Sequence, residues 1–126
     1  MKWEAIVKLA RELPEVDLGT SYGTPALKVR GKKLLARLKE DGETVVFMLE
    51  SVDLQEILTE TQPELYFITD HYRGWPAVLA RLARLRPGEC RERLEAAFRE
   101  QAPVTLVRRH DEARVSRGGR ARAAKR

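Results

Sequence analysis

The residues able to do covalent or metal chemistry are few and scattered. The chain of 126 residues holds two histidines (His71, His110), one cysteine (Cys90) and three serines (Ser21, Ser51, Ser116). A nucleophile needs a neighbouring base and a group to orient it, and a zinc site needs ligands at short, regular spacing. The chain has no Cys-x-x-Cys, no His-Glu-x-x-His and no serine in a nucleophile-elbow context. Tyr22-Gly23-Thr24-Pro25 lacks the glycine spacing and Lys-Ser/Thr ending of a phosphate loop, so turn chemistry accounts for it. These absences point to a binding module and not an enzyme, with no metal and no cofactor.

Cations offer another chemistry. Lys28, Arg30, Lys32, Lys33, Arg37 and Lys39 put six positive charges into twelve residues with no acid among them. On a hairpin, alternate residues share a face, so Lys28 and Arg30 could align with Lys33, Arg37 and Lys39 as a ridge suited to phosphates along a backbone. The competing reading is a solvated sheet face that resists aggregation. In the loop Asp70-His71-Tyr72-Arg73-Gly74, Arg73 could reach a phosphate and Tyr72 could stack on a base; an ordinary hairpin loop explains it too. Trp3 and Trp75 read as core or rim packing.

The net charge has a separate origin. Arg114, Arg117, Arg120, Arg122, Lys125 and Arg126 give residues 114–126 a charge of +6 without an acid. Subtracting +6 from the whole-chain +5 leaves residues 1–113 at −1. High basicity therefore describes the tail, which is expected to be disordered alone and to offer Arg117, Arg120 and Arg122 to phosphate. A solubilising tail is the alternative.

These residues must be placed by local structure. Trp3, Ile6, Val7, Ala10 and Leu13 form one face of a helix over residues 2–13, ended by Pro14. Gly19, Gly23 and Pro25 mark a loop. Ala26–Arg30 and Lys33–Lys39 alternate around Gly31-Lys32 as a hairpin, and the turn Asp41-Gly42 leads to a third strand, Thr44–Leu49. Asp53 and Glu56 resemble a capping box for a short helix burying Leu54, Ile57 and Leu58. Glu64–Thr69 and Trp75–Leu82 read as a second hairpin, with Pro76 requiring an edge position or an irregular start. Cys90, Leu94, Ala97 and Phe98 line a helix after Pro87, and a final turn or two runs from Pro103 to about Ala113. The expected fold is α+β, an antiparallel sheet of about five strands with helices on one face.

The opening helix ending Leu13-Pro14, the segment Tyr22-Gly23-Thr24-Pro25-Ala26-Leu27-Lys28-Val29-Arg30-Gly31-Lys32, the helix at Val52–Thr61 and Gly74-Trp75-Pro76-Ala77-Val78 together resemble the MmcQ/YjbR family of small bacterial proteins. The resemblance spans roughly residues 1–112. It implies a CyaY-like fold, related to secretion-chaperone-like domains, and DNA binding through a "double wing" of hairpins. Where that family often has an aromatic after Gly-Lys, this chain has Leu34-Leu35, leaving no stacking residue on that wing.

The expected function is thus a nucleic-acid-associated protein touching phosphates through Lys28, Arg30, Lys32, Lys33, Arg37 and Arg73, with help from the tail. The alternative is a protein- or peptide-binding adaptor. The lone cysteine and the lack of a leader-like start suggest a cytoplasmic chain. Its longest apolar runs fall well short of the roughly 20 residues that span a bilayer, so no membrane partner is expected. A monomer is expected.

Overall fold

The computed structural model describes the backbone of residues 1–124 and the side chains of residues 1–115. Four helices, α1 (Trp3–Ala10), α2 (Val52–Thr61), α3 (Pro87–Gln101) and α4 (Val104–Ala124), accompany six strands. These are β1 (Val16–Ser21), β2 (Thr24–Val29), β3 (Lys33–Leu38), β4 (Thr44–Met48), β5 (Tyr66–Phe67) and β6 (Ala77–Arg81). They form one antiparallel sheet in the order β1-β2-β3-β4-β6-β5. The α+β class and the antiparallel sheet agree with expectation; the strand count is one higher.

The additional strand is β1, in the stretch read as a loop. Only Val16 of its six residues is buried, as befits an edge strand, so the hydrophobic alternation that announces a strand is nearly missing. Its partner is fixed instead by the turn Tyr22-Gly23, where both residues have positive φ (53° and 78°). A two-residue loop of that conformation matches the twist of paired strands.

Alternation along the strands divides the sheet into two faces. Leu27, Val29, Ala36, Val45, Phe47, Val78 and Ala80 meet Ile6, Ala10, Leu94, Ala97 and Phe98 in the main core. All four helices contribute to that core: α3 lies on β3 and β4, α1 packs on β1 and α3, α2 meets β5 and β6 through Leu58, and α4 adds Leu106. The opposite face has only a small cluster of Val46, Ala77 and Leu79, with Met48, Phe67 and Tyr72 packed against it.

Local details differ from expectation for identifiable reasons. The cap of α2 is Ser51, whose Oγ accepts from the Leu54 amide at 3.3 Å, so the Asp53–Glu56 capping box is not formed. That shift turns Gln55 and Leu58 inward and leaves Ile57 exposed. Trp75 is 63% exposed rather than packed. Pro76 precedes the central strand β6 and its carbonyl accepts from the Leu49 amide, which is the irregular start. The last helix continues past Ala113, consistent with the helix propensity of Arg and Ala.

Candidate nucleic-acid interface

Arg37 is the centre of the uncovered sheet face. It pairs with Ala26 on β2 and Val46 on β4, both away from the helices. Only 7% of the residue is exposed. A buried guanidinium needs acceptors, and three are present. Nη1 donates to Thr24 Oγ1 at 3.2 Å and to Glu40 Oε1 at 3.4 Å, and Nη2 donates to the Tyr72 hydroxyl at 2.9 Å. Burial works against the charge, but the Tyr72 and Glu40 contacts outweigh it and hold the pKa above the ordinary guanidinium value. Thr24 can accept because its own proton goes to the Ser21 carbonyl at 2.9 Å. Tyr72 accepts from Arg37, and its own O–H meets no acceptor among the described residues.

Three cations on this face lie over aromatic rings. The Arg37 guanidinium is 5.4 Å from the centre of the Tyr22 ring, Lys39 Nζ is 5.8 Å from that of Tyr72, and the Arg81 guanidinium is 4.4 Å from that of Phe67. All fall within the range where a ring's π cloud attracts a cation. Register explains the grouping. Thr44 accompanies both Lys39, through the Lys39 amide, and Arg81, its partner on β6, while Phe67 pairs with Leu79.

Tyr72 is held in place by a side chain that the sequence did not single out. Gln55 on α2 is 5% exposed, and its Nε2 donates to the carbonyls of Tyr72 (2.8 Å), Trp75 (3.0 Å) and Ala77 (2.8 Å). Its Oε1 accepts from the Gly74 amide at 3.2 Å. One amide thus satisfies both sides of the loop between β5 and β6. The sole sequence signal was its position beside Leu54 and Leu58 on a short amphipathic helix.

The cationic ridge drawn from alternation is not assembled. The register between β2 and β3 slips at Leu27/Lys28, leaving Leu35 as an extra residue on β3. Lys28 therefore pairs with Leu34 on the uncovered face, whereas Lys33 pairs with Val29 and lies on the helix side. Lys28 also faces Asp17, and its stem crosses β1: a Cβ added to Gly19 would meet Lys28 Cδ at 3.8 Å. Arg30 takes up a left-handed turn (φ 53°) and donates from Nε and Nη2 to Glu15 at 2.9 and 3.1 Å. That hydrogen bond holds the Glu15 carboxyl below its usual value. Arg37 is buried as described. Lys32 is exposed at the turn, and exposed Arg73 contacts Asp70 at 3.2 Å. The side chains of Arg117, Arg120 and Arg122 lie outside the described residues.

Among the described residues, no three His, Cys, Asp or Glu side chains gather as metal ligands, and no helix is long and apolar enough to cross a membrane. Cys90 is fully buried, which pushes its thiol pKa up to about 12.

An open antiparallel sheet, with α-helices on one side and cation–aromatic pairs on the other, defines an α+β protein with one sheet face free of α-helices among the described residues. Residues 11–100 match the YjbR family, and the chain belongs to that family, as the resemblance of its motifs implied. It is 35% identical over 66 residues to an uncharacterized protein of Mycobacterium bovis and to two from strains of Mycobacterium tuberculosis. The matched stretch covers 52% of this chain and 51% of each relative, so the chain spans about half the length of the curated relatives it matches. No solved structure gives a significant match.

Proposed function

We propose that this YjbR-family protein binds nucleic acid through the uncovered sheet face, and that it acts by binding and not by catalysis. The observation that carries this reading is how the cations are partnered. Away from that face, arginines are neutralised by acids: Arg30 by Glu15, Arg91 by Glu12 and Arg99 by Asp111. On the face, Lys39 and Arg81 lie over rings and make no ion pair among the described residues, and Arg37 has a tyrosine, a threonine and one longer contact to Glu40. A carboxylate cancels a cation's field, whereas a ring leaves most of it available to a phosphate.

In this reading Lys39 and Arg81 replace the hairpin ridge as the principal phosphate contacts. Lys28 and Lys32 form the rim, Lys33 lies on the helix side, Arg73 is occupied by Asp70, and Arg117, Arg120 and Arg122 add sequence-independent affinity. Arg30 is occupied by Glu15. Titration of labelled oligonucleotides at several salt concentrations tests it, since each neutralised phosphate steepens the log–log salt slope by about 0.9 on duplex DNA. The paired substitution Lys39→Gln and Arg81→Gln should weaken binding and reduce that slope. Unchanged affinity in this variant, with loss only when Arg117, Arg120 and Arg122 are neutralised, would assign all binding to the basic segment.

A further inference from the structure

We infer that the uncovered face takes a single strand in preference to a duplex, with an unpaired base stacked on the exposed ring of Tyr22 and the neighbouring phosphates met by Lys39 and Arg81. The inference rests on the nucleic-acid reading above and names its substrate.

The first argument is complementarity. A duplex presents phosphate rails and hides its base faces, so rings on the protein gain little from it. An unpaired strand presents both phosphates and π faces, and base–aromatic stacking is tolerant of sequence. The cations of this face are interleaved with rings, which suits the second ligand. Duplex readers commonly insert a helix or a two-stranded ribbon into the major groove. Here α1 and α3 pack on the opposite side of the sheet, and Arg30 at the β2–β3 turn is tied to Glu15.

The second argument is Tyr22 itself. It is 88% exposed and has φ 53°, a left-handed conformation in a two-residue turn. Such positions favour glycine, asparagine and aspartate, and a bulky residue there is strained. Within the fold the ring gains only the 5.4 Å approach of the Arg37 guanidinium, a weak return for an exposed aromatic where glycine would be relaxed. Glu15 and Arg30 share this backbone sign but are held by their mutual ion pair, whereas the Tyr22 hydroxyl has no hydrogen-bond partner among the described residues, so its strain fits a contact outside the fold.

Preorganisation is the third. A single buried guanidinium stands 5.4 Å from the Tyr22 ring and donates to the Tyr72 hydroxyl at 2.9 Å. Tyr72 is therefore fixed by Arg37 and by the loop that Gln55 holds before any ligand arrives, with the Tyr22 ring beside the same guanidinium. The free O–H of Tyr72 adds a donor for a base or phosphate oxygen.

The test uses the full chain with a short unlabelled-sequence-matched pair, oligothymidylate and its duplex with oligoadenylate, at one salt concentration. The single strand should bind at least tenfold more tightly than the duplex. Tyr22→Gly removes the ring and the backbone strain together, so the thermal midpoint should hold or rise while single-strand affinity falls at least fivefold. That combination excludes misfolding as the cause. Equal or tighter duplex binding, or undiminished single-strand binding by Tyr22→Gly, overturns the inference and leaves the nucleic-acid reading standing. Failure of the chain to bind either form overturns both.

Discussion

Replacing Gln55 with methionine should loosen the loop that carries Tyr72 without changing the size of the side chain much. Gln55 Nε2 has two hydrogens for three carbonyls, those of Tyr72, Trp75 and Ala77, so one of its bonds is shared. With the Gly74 amide bonded to Oε1, about three full hydrogen bonds disappear in Gln55→Met. Net values of about 0.5–1.5 kcal/mol per bond give a loss of about 2–4 kcal/mol, with water rescuing part of it at the exposed Gly74 and Trp75. Urea denaturation with an unchanged m-value measures the loss, and amide exchange at Gly74 and Ala77 locates it. Because the loop delivers Tyr72 to Arg37, Gln55→Met and Tyr72→Phe should cost less together than the sum of their separate effects. A destabilisation below about 1 kcal/mol, or strict additivity of the pair, would refute the claim that Gln55 holds this face together.

Tyr72→Phe alone removes an acceptor from a guanidinium that is nearly buried, and should cost about 1–3 kcal/mol by denaturant titration. Phe98→Ala empties a fully buried site under α3 and should cost about 3–5 kcal/mol by the same measurement. Cys90, buried and with its thiol pKa pushed up to about 12, should resist a disulfide reagent at mildly alkaline pH until urea unfolds the chain; prompt stoichiometric labelling of the native protein would contradict this. Asp41 accepts from the Glu43 and Thr44 amides and from Thr44 Oγ1, and these hydrogen bonds, led by that of Glu43, depress its pKa. A depressed carboxyl contributes stability above its unfolded pKa and loses it as pH falls through the folded value. The stability gap between wild type and Asp41→Ala should therefore be full at neutral pH and close as pH drops below about 4.

The parts of the fold that local pattern controls were readable: the amphipathic face of α1, the β2–β3 turn at Gly31, and the stripe Cys90, Leu94, Ala97 and Phe98 on α3. What could not be read depends on partners distant in sequence. β1 hides as a strand because an edge position buries one residue and leaves no alternation. Leu35 breaks the two-residue period of β3, and with it the assumption that Lys33 shares a side with Lys28 and Arg37. Gln55 looks like a solvated helix residue until the loop from Tyr72 to Ala77 is laid against it.

The candidate site shows the same division. Counting charges between Lys28 and Lys39 finds cations but cannot see that Glu15 claims Arg30, that Asp17 faces Lys28, or that Arg37 is roofed by Tyr72. Local charge density is therefore a poor guide to available charge. With residues 1–113 at −1, the body offers little long-range attraction to a polyanion, and any grip it has must come from short-range partners. Lys39 over Tyr72 and Arg81 over Phe67 are such partners, since a ring orders a cation without cancelling it. Added salt should consequently erode the contribution of the Arg-rich segment faster than that of the face, where stacking persists when phosphate contacts are screened. A residual affinity at high salt that depends on Tyr22 would separate the two, and its absence would reduce the face to an ordinary solvated sheet.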